Sequence, residues 1–193
     1  MKRRPLVVMA LPMEAQGRFE KVGVDVLYTG IGKVNAAFVL TRRLVELREK
    51  GEALPLVVNF GTAGSRRFPP GTVVACTRFE QRDMDVGGLG FEVGVTPFED
   101  VPKALTFPNV FVDLPEGTCG TGDRFESDGA LHAWDVVDME AYALAKVCWF
   151  EGVPFACAKY VTDGADAAAA DDWHRNLTRA ADAFLALYRT LTR

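Results

Sequence analysis

The sequence predicts a single α/β domain in which a mixed, mostly parallel central sheet is flanked by helices. Short continuous apolar runs start at Leu6, Val24 and Leu56, and such runs are typical of strands buried on both faces. A segment of helical periodicity separates the second run from the third, so strand, helix and strand alternate. The chain has 193 residues, 49% of them hydrophobic, which suffices for one sizeable core. We therefore expect one domain over residues 1–193.

The first half of the chain is predicted to contain strands at 6–11, 24–28 and 56–60. Between the last two strands, core-facing residues recur every three or four positions and charged residues occupy the opposite face, which predicts a helix. The core-facing residues are Val34, Ala37, Phe38, Thr41, Leu44 and Val45. Gly51 and Pro55 are expected to end this helix.

The second half is predicted to contain strands at 72–79, 107–114 and 154–161. The segment 139–150 is apolar on nearly all sides, which indicates a buried helix. A last helix is expected at 172–191, because apolar residues at helical spacing face the core there. These residues are Leu177, Ala181, Phe184, Leu185 and Tyr188.

Metal and cofactor sites have little support in the sequence. The four cysteines show no two-residue spacing, and the chain has only two histidines, so we expect no bound metal. Gly30 and Gly32 precede the first helix, but residue 35 is Asn instead of the third glycine of a dinucleotide-binding fingerprint. We therefore expect no cofactor.

Charge and hydropathy argue against two classes of partner. The net charge is −4, so the chain offers no basic surface to a nucleic acid. No apolar stretch approaches the length of a membrane span, and the first run is predicted to be a strand and not a signal peptide. We therefore expect a cytoplasmic protein that binds neither a membrane nor a nucleic acid.

Three carboxylates are expected to converge at one edge of the predicted sheet. Ligands of open α/β sheets bind beyond the carboxyl ends of the strands. Glu14 follows the first strand, Asp163 follows the strand at 154–161, and Glu140 lies at the start of the buried helix. If the strands are arranged as predicted, all three side chains belong to the same rim.

Each carboxylate also has an ordinary structural explanation. Glu14 could be favoured in the first turn of a helix by the helix dipole, and Asp163 could cap the segment after it. Glu140 is harder to explain in this way, because a lone buried carboxylate is rare unless it is paired. Only the combination of the three favours a functional site.

Seven segments occur in one order over most of the chain and together indicate a family. The sequence resembles the nucleoside phosphorylase/nucleosidase superfamily, and within it most closely the 5′-methylthioadenosine/S-adenosylhomocysteine nucleosidases. The segments are 9–15 (MALPMEA), 29–37 (TGIGKVNAA), 59–64 (NFGTAG), 82–86 (RDMDV), 122–125 (GDRF), 137–141 (VDMEA) and 161–166 (VTDGAD). The resemblance implies a nucleoside phosphorylase-like fold, a small-molecule purine nucleoside as substrate, and a homodimer.

The resemblance also implies roles for individual residues. Glu14 matches the acid that activates the attacking water, and Thr62 matches a serine that helps to hold this water. Met139 and Glu140 match the pair that packs against the ribose and binds its hydroxyls. Asp163 matches the acid that assists the departure of the purine at N7.

Further binding positions are implied around the base. The backbone at Phe125 and Glu126 resembles the strip that reads the purine edge, with the Phe125 ring stacked on the purine. Trp173 falls where the family has an aromatic lid over the base. The remaining expected binding positions are Gly64, Lys159 and Thr162.

Carboxylates suit the cleavage of a C–N glycosidic bond, which builds positive charge on the sugar and negative charge on the base. A purine is a poor anionic leaving group, so Asp163 is expected to donate or share a proton, helped by an apolar pocket. Glu140 is expected to stay ionised beside the sugar cation, and Glu14 to take a proton from water on the face opposite the base. The expected reaction is hydrolysis of a purine nucleoside, in particular a 5′-modified adenosine.

The chain departs from the family pattern near the site. Lys159 stands where arginine is usual, Thr162 where serine is usual, and Asp138 where glutamate is common. Lysine keeps the charge of arginine but loses its planar fork.

The chain is also shorter than is usual for the family. A hairpin is missing between residues 19 and 24, and a helix is reduced around 97–107. The second region resembles the one that supplies an aromatic side chain to the neighbouring subunit's pocket. Phe91 or Phe98 is the candidate for that role.

Three alternative functions stay open. A phosphorylase needs a cationic cradle for phosphate, where this chain has Asn59 and Phe60, although Arg66 and Arg67 lie just downstream. A futalosine hydrolase would share the carboxylates and differ around the 5′ group of the substrate. A nucleoside-binding domain without turnover is supported by the departures, but retention of all three carboxylates argues against it.

Overall fold

The computed structural model of the protein describes residues 4–124, 133–164 and 169–192, with the side chains of the last range from residue 176 onward. Within these residues, eight strands form one mixed sheet. The strands are β1 (Leu6–Met9), β2 (Val26–Tyr28), β3 (Val57–Gly64), β4 (Val73–Gln81), β5 (Ala104–Thr106), β6 (Glu116–Thr121), β7 (Val136–Asp138) and β8 (Phe155–Asp163). The described α-helices are α1 (Pro12–Ala15), α2 (Lys33–Glu49), α3 (Ala141–Glu151) and α4 (Ala169–Leu191).

Five of the strands close into a ring. β1 lies between β2 and β3, and β3 pairs in parallel with β8. β8 pairs antiparallel with β4, β4 pairs in parallel with β6, and β6 with β7. β7 returns to the end of β3 through the pairing of Val137 with Gly64. This closure brings the carboxyl ends of β3, β7 and β8 next to one another.

Helices cover both sides of the sheet because each presents an apolar face to it. On one side, Leu40 and Leu44 of α2 belong to the same buried cluster as Leu144 of α3. The predicted core-facing set of α2 is therefore partly wrong. Val34, Phe38 and Val45 are exposed, and the buried face is formed by Ala36, Leu40, Leu44 and Leu47. On the other side, the ring of Phe184 in α4 stacks on Phe60 of β3, with 5.3 Å between the ring centroids. Two apolar clusters therefore hold the sheet in place, one on each side.

The predicted α/β class is confirmed, but the predicted strand at 107–114 is wrong. This segment forms turns between β5 and β6, in which the Asn109 side chain accepts the amide of Phe111 (2.7 Å) and the Leu114 amide donates to the Phe111 carbonyl (2.9 Å). Prolines, which cannot donate to a strand ladder, stand within and directly after the segment. The Val112 residue is 78% exposed, which a buried strand would not allow.

Several element boundaries matter for the site. β3 extends to Gly64 and β8 to Asp163, so both run beyond their predicted ends at residues 60 and 161. The helix predicted at 139–150 begins at Ala141, and the strands β6 and β7 were not predicted. None of the described helices is both long and apolar enough to cross a membrane.

Candidate active site

A cavity of about 220 Å³ lies at the carboxyl ends of β1, β3, β7 and β8. The closed ring of strands brings residues that are distant in sequence to this one space. The predicted site residues on its wall are Glu14, Thr62, Gly64, Met139, Glu140, Thr162 and Asp163. The structure therefore brings the three predicted carboxylates together.

Glu14 is buried in the wall and held by four hydrogen bonds. The amides of Ala10 and Leu11 each donate to Oε2 at 3.1 Å. The amide and the hydroxyl of Thr62 donate to Oε1 at 3.0 and 3.1 Å. Glu14 does lie in the short helix α1, but the contacts with β3 go beyond what a first-turn residue needs. Its orientation towards the cavity is fixed from two strands.

Asp163 is the last residue of β8 and is also buried. The hydroxyl of Thr162 donates to its Oδ2 at 2.7 Å, and the Ser65 amide donates to its carbonyl at 3.0 Å. The pairing of β3 with β8 shifts by one residue here, so Gly64 pairs with Asp163. Such bulges often redirect a side chain next to an active site.

Glu140 lies outside the helix in which it was predicted. It immediately precedes the first residue of α3, and its φ of −134° lies outside the helical range. Its Oε1 accepts the amide of Gly32, at the start of α2, at 2.9 Å. Because the residue is only 8% exposed, the carboxyl is held between two helices at the cavity wall.

The ionisation of Glu140 differs from the sequence-based expectation. Burial and the negative charge of Asp138 raise the pKa of the Glu140 carboxyl to about 8, against the opposing charge of Lys159 and the Gly32 hydrogen bond. Burial and the neighbouring charge therefore favour the protonated form of this carboxyl more than in a free glutamate. Hydroxyl groups that donate to the carboxylate would favour its ionised form, which couples ionisation to binding.

Lys159 was predicted among the substrate-binding residues, but it does not reach the cavity wall. Its Nζ lies 2.8 Å from Oδ2 of Asp138, and both side chains are 1% exposed. Burial alone would lower the pKa of Lys159, but the charge of Asp138 raises it well above its usual range. Although burial opposes the shift, the charge of Lys159 keeps the pKa of Asp138 below its usual range. The pair is therefore ionised.

Comparison with known proteins decides the family to which this cavity belongs. The family model of the phosphorylase superfamily matches residues 15–193. The chain belongs to the phosphorylase superfamily. The family predicted from the seven segments is thereby confirmed.

Relatives within the superfamily are nucleosidases, as the sequence predicted. The 5′-methylthioadenosine/S-adenosylhomocysteine nucleosidase of an Exiguobacterium species is 31% identical over 172 residues, which cover 78% of this chain and 72% of the relative. The nucleosidase of the same type from a Marinomonas species is 34% identical over 172 residues, which cover 76% of this chain and 71% of the relative.

Solved structures of the superfamily share the fold. A mutant of the Helicobacter pylori 5′-methylthioadenosine nucleosidase, with 5′-methylthioadenosine in its active site, has a TM-score of 0.84 at 20% identity, covering 98% of this chain and 99% of that one. A futalosine hydrolase mutant from Helicobacter pylori has a TM-score of 0.80 at 20% identity, covering 93% and 94%. The predicted nucleoside phosphorylase-like fold is confirmed.

Two arginines of this superfamily member line the cavity without having been predicted as site residues. Arg82 and Arg124 both contribute to the cavity wall, and Ile31 is a third wall residue that was not predicted. The guanidinium of Arg82 donates to the carbonyls of Gly122 (3.3 Å) and Arg124. All three wall residues belong to segments that carry the family resemblance, which was a usable signal. Sequence alone did not indicate that their side chains face the cavity.

Three predicted site residues lie outside what the structure describes. Phe125 and Glu126 fall between the described ranges, and Trp173 is in α4 at a position whose side chain is not described. Their roles stay predictions. Among the described residues, no group of histidine, cysteine or acidic side chains is arranged to hold a metal ion.

Proposed function

We propose that this protein hydrolyses the N-glycosidic bond of a purine nucleoside, in particular a 5′-modified adenosine such as methylthioadenosine or S-adenosylhomocysteine. The observation that carries the proposal is the presence of Glu14, Glu140 and Asp163 in one cavity, each of them buried. The nucleosidases to which the chain is similar support the same reaction. The products are free base and free sugar.

In the proposed step, the oxygen of a water molecule bonds to the anomeric carbon while the C–N bond breaks. The bonding electron pair leaves with the purine. Glu14 accepts the proton that the water loses, and Thr62 fixes this carboxylate and helps to hold the water. Proton transfer by a positioned side chain typically contributes about 10²–10⁴-fold to the rate.

The other residues act on the base and on the sugar. Asp163 supplies or shares the proton that N7 of the purine gains, and the Thr162 hydroxyl fixes its orientation. Met139 packs against the ribose, and Glu140 accepts hydrogen bonds from its hydroxyls while the Gly32 amide holds the carboxyl in place. Once ionised, Glu140 also stabilises the positive charge that develops on the sugar.

The carboxylate of Glu14, which faces the attacking molecule, favours hydrolysis over phosphorolysis. A phosphate in the place of the water would lie against Glu14, and two like charges about 4 Å apart repel by about 4 kcal/mol at an effective dielectric constant of about 20. Asn59 is buried inside the sheet, and the side chain of Arg67 is 62% exposed and does not line the cavity. The two arginines on the wall keep a phosphorylase as the alternative to be tested.

One incubation series tests the proposal. The purified protein is mixed with methylthioadenosine, S-adenosylhomocysteine, adenosine, inosine or futalosine, with and without phosphate, and free base is quantified. We expect base release from the 5′-modified adenosines without phosphate, together with free sugar. Release that requires phosphate and yields a sugar phosphate would indicate a phosphorylase, and preference for futalosine would indicate a futalosine hydrolase. No release from any substrate would contradict the proposal.

We also propose a homodimer that forms through the outer face of α2. Val34 and Phe38 are 79% and 65% exposed on adjacent turns, and Ile31 beside the cavity is 49% exposed. Exposed apolar surface of this kind is typical of protein–protein interfaces. Phe98, which is 93% exposed, packs edge-on against Phe91 with 5.5 Å between centroids. This pair remains the candidate for an aromatic contribution to the neighbouring pocket.

Sedimentation velocity tests the assembly. We expect a dimer for the wild type and a monomer for Phe38→Glu, because a charge would be buried in the apolar interface. A wild-type monomer at working concentration would contradict the homodimer. A single domain over residues 1–193 and a cytoplasmic location stay predictions.

A further inference from the structure

Lys159 and Asp138 form a buried ion pair next to the cavity. Their charged atoms are 2.8 Å apart, and neither side chain is more than 1% exposed. Buried pairs contribute little net stability, because the cost of desolvation offsets the attraction between the charges. Of the two, Asp138 contributes to the cavity wall and Lys159 does not. Lys159 therefore lies on the side of Asp138 that faces away from the cavity.

Asp138 organises the backbone turn that carries Glu140. Its Oδ2 accepts the Lys159 ammonium and also the amides of Glu140 (3.3 Å) and Ala141 (2.8 Å). Its Oδ1 accepts the hydroxyl of Thr121 at 2.5 Å. The carboxylate thus links β6, β7 and β8 to the residues at which α3 begins. One of these is Glu140, the residue proposed to bind the sugar.

The ammonium of Lys159 is confined on its other side by β3. A Cβ atom added to Gly61 would lie 2.9 Å from Nζ of Lys159 and 3.4 Å from Oε1 of Glu14. Lys159, the one buried cation among the described residues, therefore lies between Asp138 and the carboxylate of Glu14. Its charge also opposes the effects of burial and of Asp138, which together raise the pKa of Glu140.

We propose that Lys159 and Asp138 act as one positioning unit, which holds the turn at Met139 and Glu140 against the sugar without touching the substrate. The proposal rests on the proposed function, because Glu140 is there the sugar-binding group. The two partners of this contact are also two of the positions at which the chain departs from the family pattern. Both departures therefore affect a single buried contact.

A double-mutant cycle tests the unit. Lys159→Met leaves the buried Asp138 carboxylate without its counter-charge, and Asp138→Asn does the same to the ammonium. We therefore expect each variant to raise KM at least about tenfold, with a smaller effect on kcat. The double variant contains two neutral side chains, and the asparagine oxygen can still accept the two amides. We expect its KM to return to within about threefold of the wild type.

The pH profile of kcat/KM adds a readout that a purely structural role would not move. Loss of the Lys159 charge raises the pKa of Glu140 further, so the acid limb of Lys159→Met shifts to higher pH. Loss of the Asp138 charge lowers this pKa, so the acid limb of Asp138→Asn shifts to lower pH. Shifts in opposite directions are expected if both charges act on the carboxylates of the site, Glu140 foremost and Glu14 beside it. Shifts in the same direction, or none, would contradict the proposal.

Other outcomes also separate the possibilities. A double variant as impaired as Lys159→Met would show that the ammonium acts otherwise than through Asp138, and effects that multiply in the double variant would show two independent residues. Either result would overturn the unit. Lys50→Met makes the same substitution at an exposed position at the end of α2, and we expect it to stay within about twofold of the wild type.

The test distinguishes failure of this proposal from failure of the proposed function. If the wild type releases no base, the proposed function has failed. The positioning unit is then judged from a crystal structure of Lys159→Met, in which we expect the 2.9 Å contact between the Gly32 amide and Glu140 to be lost. A retained contact would overturn the unit.

Discussion

Glu14 and Thr62 are joined by two hydrogen bonds to the same carboxylate oxygen, across 48 positions of sequence. The Thr62 amide donates to Oε1 at 3.0 Å and its hydroxyl at 3.1 Å. The other oxygen is held by two amides that follow β1. A carboxylate restrained from two strands is preorganised for proton transfer, because it needs no rearrangement when water arrives.

Removing the Thr62 hydroxyl should weaken the proposed base. Thr62→Val keeps the shape of the side chain and the amide hydrogen bond but loses the hydroxyl bond to Oε1. A hydrogen bond to a charged group contributes about 1.5–3 kcal/mol, so we expect kcat to fall roughly 10–100-fold. Thr62→Ser, which keeps the hydroxyl, is the matched control. Wild-type turnover in the valine variant would show that this bond plays no part in the reaction.

Replacing Glu14 itself should have a larger effect. Glu14→Gln retains an oxygen for the surrounding amides but cannot accept the proton from water, so we expect kcat to fall about 10²–10⁴-fold. Nucleoside binding, measured by calorimetry, should change little. Glu49→Gln, at an exposed position at the end of α2, controls for the loss of one carboxylate. A kcat close to that of the wild type would exclude Glu14 as the base.

Asp163→Asn should abolish turnover and leave folding and nucleoside binding largely intact. The amide is similar in shape to the carboxyl group and can still accept the Thr162 hydroxyl, but it cannot protonate the purine. Asp182→Asn, whose parent side chain is 61% exposed, is the control. Base release and thermal unfolding are measured in parallel. An asparagine variant that turns over at the wild-type rate would show that another group serves the leaving base.

Gly61 should tolerate no side chain. A Cβ would lie 2.9 Å from Nζ of Lys159, and this ammonium cannot move away without leaving Asp138. Overpacking of a buried site costs about 1–3 kcal/mol, so we expect Gly61→Ala to lower both Tm and kcat/KM. Gly88→Ala is the control for Tm, because a Cβ there meets open space. Equal Tm values for the two variants would show that Lys159 is not confined by β3.

Glu140 should make stability depend on pH. Its pKa is about 8 in the folded protein and about 4.5 when unfolded, so the neutral form is favoured by folding. The corresponding stability is present below the unfolded pKa and is lost as pH rises through about 8. We expect Glu140→Gln to raise Tm relative to the wild type more at pH 8.5 than at pH 5, while nucleoside binding weakens. A Tm difference independent of pH would contradict this assignment.

Much of the fold could be predicted because the relevant signals are local. Continuous apolar runs located β1, β2 and β3, and helical periodicity located α2, since each pattern lies within one element. The segment 107–114 shows that an apolar run does not always form a strand, because its apolar residues lie in turns. β6 and β7 carried no usable signal, since one is rich in glycine and threonine and the other has three residues.

The sequence by itself determined the family, the order of most elements and the three carboxylates at one edge of the sheet, because motifs and periodicity are properties of contiguous residues. Only the tertiary structure decided that Glu140 precedes α3 instead of lying within it, and that Lys159 turns towards Asp138 and away from the cavity. Burial and charge pairing depend on which strands become neighbours. β7 and β8 meet around β3 only when the ring of strands closes.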